Sequence, residues 1–462
     1  MIDEDLTQGP LSGHFRRLAL PAAVGMLFST LYNVVDTFYA GWFGTEAQAG
    51  LSVGFQAFFI LLAIGFGTSS SLSALVGNAK GRKDAADARH LAAQGLSFAV
   101  LATVAMILVA ILAGPSLIAL VSEPGAYRDA GERYFGVLIF SLPAFIIGYG
   151  SNGILQARGD TRSLQRALVV AFFVNVGLNP LLMYGIPGVV PGIGFNGIAL
   201  ATVISQSCVA VFILSRVFGR NVMKDLRARE FVPQLARFRE IAAQAFPAGF
   251  ALLVTFSSGF IVQYALKDFG EASIASFGIT MRIEQLFLLP ALGITISLVP
   301  IAAQNYGAGY HARVRAAFHR CWMLGGVMTA LAFPVLWWGG AAAASVFSDD
   351  PEVIRITALF LKVEAAILPL YVVLFSINSL LQALKKASWT MWIGIYRQWI
   401  GIAFFIWLFT AIFDGGLTGV RLGIAAGVGS GVLLSLAVAL YVARTRIGGL
   451  VPARDAAGAE PV

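Results

Sequence analysis

Ser151-Asn152-Gly153-Ile154-Leu155-Gln156-Ala157 and Ile377-Asn378-Ser379-Leu380-Leu381-Gln382-Ala383 are two versions of one phrase, set 226 residues apart. The same offset carries Pro21 to Pro247, Phe43-Gly44 to Phe269-Gly270 and Pro143 to Pro369. A nearby offset of 228 carries Gly65, Ser69 and Gly81 to Gly293, Ser297 and Gly309. Several separated matches in one register point to a duplicated chain, in which each copy is one structural unit.

What surrounds the two phrases says where such a chain lives. Of 462 residues, 58% are apolar and only 12% charged, with a mean hydropathy of +0.79. Soluble domains carry about a quarter charged residues, so a soluble reading is excluded. A bilayer crossing takes about 20 mostly apolar residues. Runs of that kind predict twelve helices at 16–40, 51–76, 91–113, 131–156, 163–184, 194–218, 240–265, 274–304, 314–340, 353–383, 388–413 and 420–444. The expected fold is therefore all-α integral membrane. The most polar interruption, Arg216 to Glu240, falls at mid-chain and divides the spans six and six. This gives an N-terminal lobe over 1–220, a linker over 221–239, a C-terminal lobe over 240–446 and a polar tail over 447–462. Six is even, so both copies insert with the same orientation. The expectation is two six-helix lobes related by a pseudo-two-fold axis along the membrane normal, with a cleft between them near the midplane.

A net charge of +8 and a pI near 9.6 raise the question of a nucleic-acid partner. The positions of the charges answer it. The loops after even-numbered spans, with the two chain ends, hold about 25 Lys and Arg, against about five in the odd-numbered loops. Lys80, Arg82, Lys83, Arg158, Arg162, Arg220, Lys224, Arg313, Lys385 and Lys386 belong to the first group. That asymmetry puts both termini in the cytoplasm and argues against nucleic acid; the expected setting is the plasma (inner) membrane, multi-pass, with membrane lipid and a small-molecule substrate as partners. A monomer is expected. The chain opens Met1-Ile2-Asp3-Glu4-Asp5, acidic where a signal peptide is basic, so the first span is read as retained. Cys208 and Cys321 lie inside apolar runs and read as inert thiols.

Chemistry inside a membrane is marked by polar side chains where none are needed. Asp36 stands in Leu31-Tyr32-Asn33-Val34-Val35-Asp36-Thr37-Phe38-Tyr39-Ala40, the first span. A carboxylate there either faces a protein interior or a watery cavity and marks an ion or proton path, or lies near the outer interface and merely meets water, since Gly41 and Trp42 begin the exit from the span. Asn175 and Asn179 are four residues apart, on one helical face, followed by Pro180, and Thr202 lies in the sixth span. These amides and hydroxyls either join Asp36 in an ion-coupling cluster or bridge helices. For substrate contact the candidates are Tyr32, Asn33, Tyr39, Tyr149, Asn152, Met281, Phe287 and Glu284, aromatics, amides and a thioether suited to organic cations. In the C-terminal half, Arg282 with Glu284 and Lys362 with Glu364 are two residues apart, so neither pair shares a face. Glu284 and Glu364 are read as sitting near helix ends with structural partners, a second ion site being the sharper alternative. The position matching Asp36 is Val262, which makes the carboxylate chemistry asymmetric between the copies. No phosphate-cradling loop is present and His14, His90, His311 and His319 lack metal-ligand spacing, so no enzyme, resident metal or cofactor is expected, and the energy source is a proton or sodium gradient.

The residues now quoted resemble the multidrug and toxic compound extrusion (MATE) transporters. Carrying the resemblance are Pro21, Leu31 to Asp36, Gly41, Gly77 to Gly81 and Leu155-Gln156-Ala157-Arg158-Gly159-Asp160-Thr161. It continues through Asn175 to Pro180, Gly197-Ile198-Ala199-Leu200-Ala201-Thr202 and Pro290 to Gly309. It spans nearly the whole chain, and Asp36 is most similar to the prokaryotic branch with DNA-damage-inducible relatives. The resemblance implies a secondary antiporter that exports small organic, cationic or drug-like molecules by alternating access. Asp36 would match the family's helix-1 carboxylate, whose protonation or ion binding reshapes that helix and releases substrate. Asn175 and Thr202 would match its partners, with sodium at Asp36, Asn175 and Asn179 as the metal alternative. Asn at 179, where many relatives carry Asp, tilts the expectation to protons. The alternative is a lipid-linked oligosaccharide flippase of the same superfamily. A flippase calls for several cations in its cavity, and Arg282 and Lys362 are the cations counted within spans, which argues against it.

Overall fold

The computed structural model describes residues 4–186, 188, 190–219 and 227–451. The linker cations Arg220 and Lys224, the start of the acidic N-terminus and the tail beyond residue 451 lie outside the described residues. Twelve helices are long and apolar enough to cross a bilayer. They are α1 (Leu11–Gly41), α2 (Thr45–Gly81), α3 (Ala85–Leu120), α4 (Ala126–Ala157), α5 (Arg162–Tyr184), α6 (Asn196–Phe218), α7 (Leu235–Phe269), α8 (Glu271–Gly307), α9 (His311–Ala344), α10 (Pro351–Ala383), α11 (Ser388–Ile412) and α12 (Gly416–Ile447). The expected all-α membrane architecture of twelve spans is therefore found. Most helices run longer than the apolar core needs, because polar turns extend them past it at both ends. A short antiparallel ribbon, Gly185–Ile186 with Val190–Pro191, follows α5 and was not expected from the sequence.

The duplication is written into the backbone. Four pairs of residues with positive φ obey the offset of 226: Gly44 and Gly270, Lys83 and Gly309, Gly159 and Lys385, Gly188 and Asp414. Each marks the turn that ends one span and admits the next. That lysine replaces glycine once in each direction says the turn geometry persists even where the residue best suited to it is absent. Pro21, Pro247, Pro290, Pro300 and Pro369 lie inside helices, as read from the sequence. Pro143 does not interrupt one. It stands at the start of the helical segment Leu142–Ala157, after a 3₁₀ turn at Ile139–Ser141, where its missing N–H costs nothing.

The chain forms two compact units, and their limits differ from the lobes drawn on the sequence. One holds Glu4 and Val24–Gly249, the other Asp5–Ala23 and the chain from Phe250 onward. Each half-repeat thus lends the beginning of its first helix to the other unit. The crossings lie in α1 between Ala23 and Val24 and in α7 between Gly249 and Phe250, again 226 residues apart. Packing explains the exchange. In the N-terminal unit, Ser71 Oγ donates to the Ile241 carbonyl at 3.0 Å, and a Cβ on Gly249 would meet the Ala63 carbonyl oxygen at 2.5 Å. In the C-terminal unit, Leu6, Phe15 and Leu18 belong to the same buried cluster as Leu298, Ile301 and Phe318. There the Leu6 amide donates to Gln304 Oε1 at 2.9 Å and Asn305 Nδ2 donates to the Leu6 carbonyl at 3.1 Å.

The described part of the linker is docked rather than free. Gln94 of α3 donates to the Glu230 and Val232 carbonyls at 2.6 and 2.8 Å and accepts from the Gln234 amide at 2.9 Å. Ser97 Oγ donates to the Phe231 carbonyl at 2.7 Å, and Arg237 forms an ion pair with Asp87 at 2.6 Å. Both units otherwise hold together through apolar clusters and through glycines at helix crossings, the packing expected where lipid competes equally for apolar side chains.

Candidate functional site

The N-terminal unit gathers the four residues singled out for ion coupling. Asp36 comes from α1, Asn175 and Asn179 from adjacent turns of α5, and Thr202 from α6. Asp36 is only 3% exposed. Asn179 Nδ2 donates to Asp36 Oδ1 at 3.0 Å and to Asn175 Oδ1 at 3.1 Å, using both of its protons. Thr202 Oγ1 donates to Asp36 Oδ2 at 2.9 Å. The i, i+4 spacing of the two asparagines makes this possible, because it stacks their amides on one face of α5. Pro180 follows Asn179 inside the helix.

Every partner of that carboxylate is neutral. Among the described residues no Lys or Arg forms an ion pair with Asp36. Among the described residues, Asn179 Oδ1 is buried there without a hydrogen-bond partner. Two donors steady the carboxylate, yet among the described residues its charge has no counter-charge, an arrangement expensive enough in a low-dielectric span to call for a proton or cation. Beside it, the Tyr32 hydroxyl is hydrogen-bonded to Ser205 Oγ. Sequence reasoning missed Ser205, although it lies one turn after Thr202 on the same face of α6.

The expected substrate contacts do not form one group. Tyr32 belongs to the Asp36 cluster. Tyr39 donates to the Val176 carbonyl at 3.1 Å and packs edge-on against Trp42 at 4.9 Å. Tyr149 stacks on Phe66 at 4.4 Å, and Asn152 is buried with Oδ1 unpartnered among the described residues. Asn33 is exposed and donates to the Ser29 carbonyl of its own helix at 3.0 Å. In the C-terminal unit Met281 is exposed, Phe287 packs against an apolar cluster with Ile283 and Leu336, and Glu284 is buried.

The acids of the C-terminal unit depart from the reading that put them near helix ends. Glu284 lies well inside α8 and Glu364 near the middle of α10, 6% and 3% exposed. Their sequence neighbours Arg282 and Lys362 are exposed, Lys362 lying over the Trp337 ring at 5.9 Å. Another buried charged group of this unit is Arg397 of α11, 4% exposed, which lies 5.7 Å from the Tyr371 ring. Counting Arg282 and Lys362 as the cations within spans overlooked it, although Arg397 in Ile395-Tyr396-Arg397-Gln398-Trp399-Ile400 was visible in the sequence.

Comparison with known proteins follows the same outline. The MatE family model matches residues 21–181 and 247–407, one match in each half. A FAD transporter of Shewanella oneidensis is 24% identical over 78% of this chain and 79% of its own. The multidrug export protein MepA of Staphylococcus aureus is 22% identical over 91% of this chain and 92% of its own. Among solved structures, a MOP superfamily transporter from Pyrococcus furiosus superposes with a TM-score of 0.87 at 22% identity, covering 96% of this chain and 98% of the other, and so shares the fold.

Proposed function

Because the chain belongs to the MatE family, and is therefore a multi-pass membrane transporter rather than an enzyme, we propose that it exports small organic cations in exchange for protons. One observation carries this reading: Asp36 is buried with two neutral donors and, among the described residues, no cationic partner. Discharging that carboxylate is a requirement of the site, and a proton or a cationic cargo meets it equally well, which is the basis of exchange. As the transporter alternates between access to the two sides, occupation by one would oblige departure of the other.

The identity of the driving ion rests on residue 179. An aspartate there would give a sodium ion two carboxylates. Asparagine leaves Asp36 as the one carboxylate of the cluster, and its amide nitrogen donates to Asp36 Oδ1 and Asn175 Oδ1. Cargo sign is argued from buried charge. Asp36, Glu284 and Glu364 outnumber Arg397, which favours cations over an anionic cargo such as the FAD of the Shewanella relative or the pyrophosphate of a flippase. The Lys and Arg asymmetry supports insertion in the plasma membrane with both termini cytoplasmic, and a monomer is complete for this purpose because the Asp36 cluster is drawn from a single chain.

The test is export of ethidium from vesicles of reconstituted protein, with proton and sodium gradients imposed one at a time. Export should accelerate with protons moving opposite to the dye and should ignore sodium. Acceleration by sodium alone would overturn the assignment of the ion, and indifference to both would overturn antiport.

A further inference from the structure

Lys362 of α10 is a charge that the export mechanism leaves unused. It closes the run Ala358-Leu359-Phe360-Leu361 inside the helix, and it is exposed. Among the described residues no carboxylate forms an ion pair with it. What it meets is aromatic, for its Nζ lies 5.9 Å from the centre of the Trp337 ring on α9. Trp337 stacks on Phe333 at 5.2 Å, and Trp338, 74% exposed, stands edge-on to the same Phe333 at 6.3 Å. Gly340 lets α9 and α10 approach here, since its Cβ would lie 3.4 Å from Leu361 Cβ.

The surface around the lysine has the two parts that a phospholipid needs. Trp rings gather at the level of lipid headgroups because they are apolar with one polar edge, so Trp337 and Trp338 mark that level and Lys362 shares it. From Trp338 the exposed side chains Val335 and Leu331 continue along one face of α9, an apolar stripe suited to hydrocarbon. The stripe leads to a groove of about 200 Å³ between α8 and α9, lined by Leu286, Phe287, Pro290, Met328, Leu331 and Ala332. Ring and groove belong to one surface, because Phe287, Phe333 and Trp337 all pack against the buried cluster that contains Ala332 and Leu336.

Charge decides between lipids. An uncharged or zwitterionic lipid fills the groove and leaves the lysine unbalanced. A lysine that merely escapes the bilayer core stretches its stem toward water. This one holds its ammonium beside an apolar ring instead, where less water screens it and an added anion has more effect.

We propose that Lys362, Trp337 and the groove between α8 and α9 bind one anionic phospholipid. Its phosphate lies beside Lys362 Nζ, its headgroup against Trp337 and Trp338, and one acyl chain runs over Val335 and Leu331 into the groove.

The test is native mass spectrometry of the full-length protein released from vesicles holding equal parts of phosphatidylglycerol and phosphatidylcholine. The parent should retain one phosphatidylglycerol in preference to phosphatidylcholine. Lys362→Gln should weaken that preference about fivefold, Lys362→Arg should keep it, and Leu331→Trp, which fills the groove, should lower retention of both lipids. Equal retention of the two lipids by the parent, an unaltered preference in Lys362→Gln or unaltered retention in Leu331→Trp overturns the proposal. So does loss of the lipid on adding ethidium, which would make the groove a cargo site. The parent comparison is decisive should a variant fail to fold, and since no transport is read, the outcome is independent of the export reading.

Discussion

At the scale of single residues, the Asp36 cluster assigns distinct tasks to groups that look alike in sequence. Thr202 and Asn179 donate to different oxygens of one carboxylate and so favour its ionised form. Hydrogen bonds to charged groups contribute about 1.5–3 kcal/mol, and about 1.4 kcal/mol corresponds to one pH unit. Thr202→Val removes a donor and so favours the protonated form. Half-maximal proton-driven export should then move to higher pH by about one unit. A midpoint that stays in place or falls would contradict the hydrogen bond's role. Asn179→Asp places a second carboxylate against the first, and the two together need more positive charge than one proton supplies. That variant should acquire sodium-stimulated export, which ethidium flux in a sodium gradient would reveal. Unchanged indifference to sodium would show that residue 179 does not select the ion.

At the scale of elements, α11 and α12 show how glycine spacing serves a charged group. Gly419, Gly423, Gly427 and Gly431 recur every fourth residue along α12, giving one small-residue face against α11. Cβ atoms at Gly423 and Gly427 would meet backbone of Ile406 and Ile402 at 2.6 and 2.8 Å. At Gly431 the neighbour is instead the stem of Arg397. Gly431→Ala should therefore lower the melting temperature in detergent through overpacking, typically about 1–3 kcal/mol. A melting curve like that of the unsubstituted protein would mean the stem moves aside freely. The i, i+4 signals on α5 were legible because both asparagines share one helix. The meeting of α8, α9 and α10 was not, since nothing in a single sequence says which faces of separate helices adjoin. Arg397 was visible as a charge within a span, and the same reading misplaced Glu284 and Glu364 at helix ends.

At the scale of the whole chain, duplication was legible and its use was not. The offset of 226 read from Pro21 and Pro247 reappears in the left-handed turns and in the two crossings between units. Lobes drawn at the polar linker nonetheless assigned α1 and α7 wholly to one unit each, because a linker's polarity marks a gap between helices and not the packing of the helices beside it. The beginnings of α1 and α7 are tied by Leu6–Gln304 and Ser71–Ile241 contacts that link residues far apart in sequence. Orientation follows from charge counts alone, so reporter fusions at either end should report a cytoplasmic location, and an external signal from either end would reverse the topology.

The central claim is that discharge of one buried carboxylate couples cargo to protons. Its most direct measurement is ethidium export by Asp36→Asn protein in vesicles under an imposed proton gradient, beside the unsubstituted protein at matched expression. The account predicts that the gradient no longer accelerates export in the variant. Export at the unsubstituted rate would falsify it.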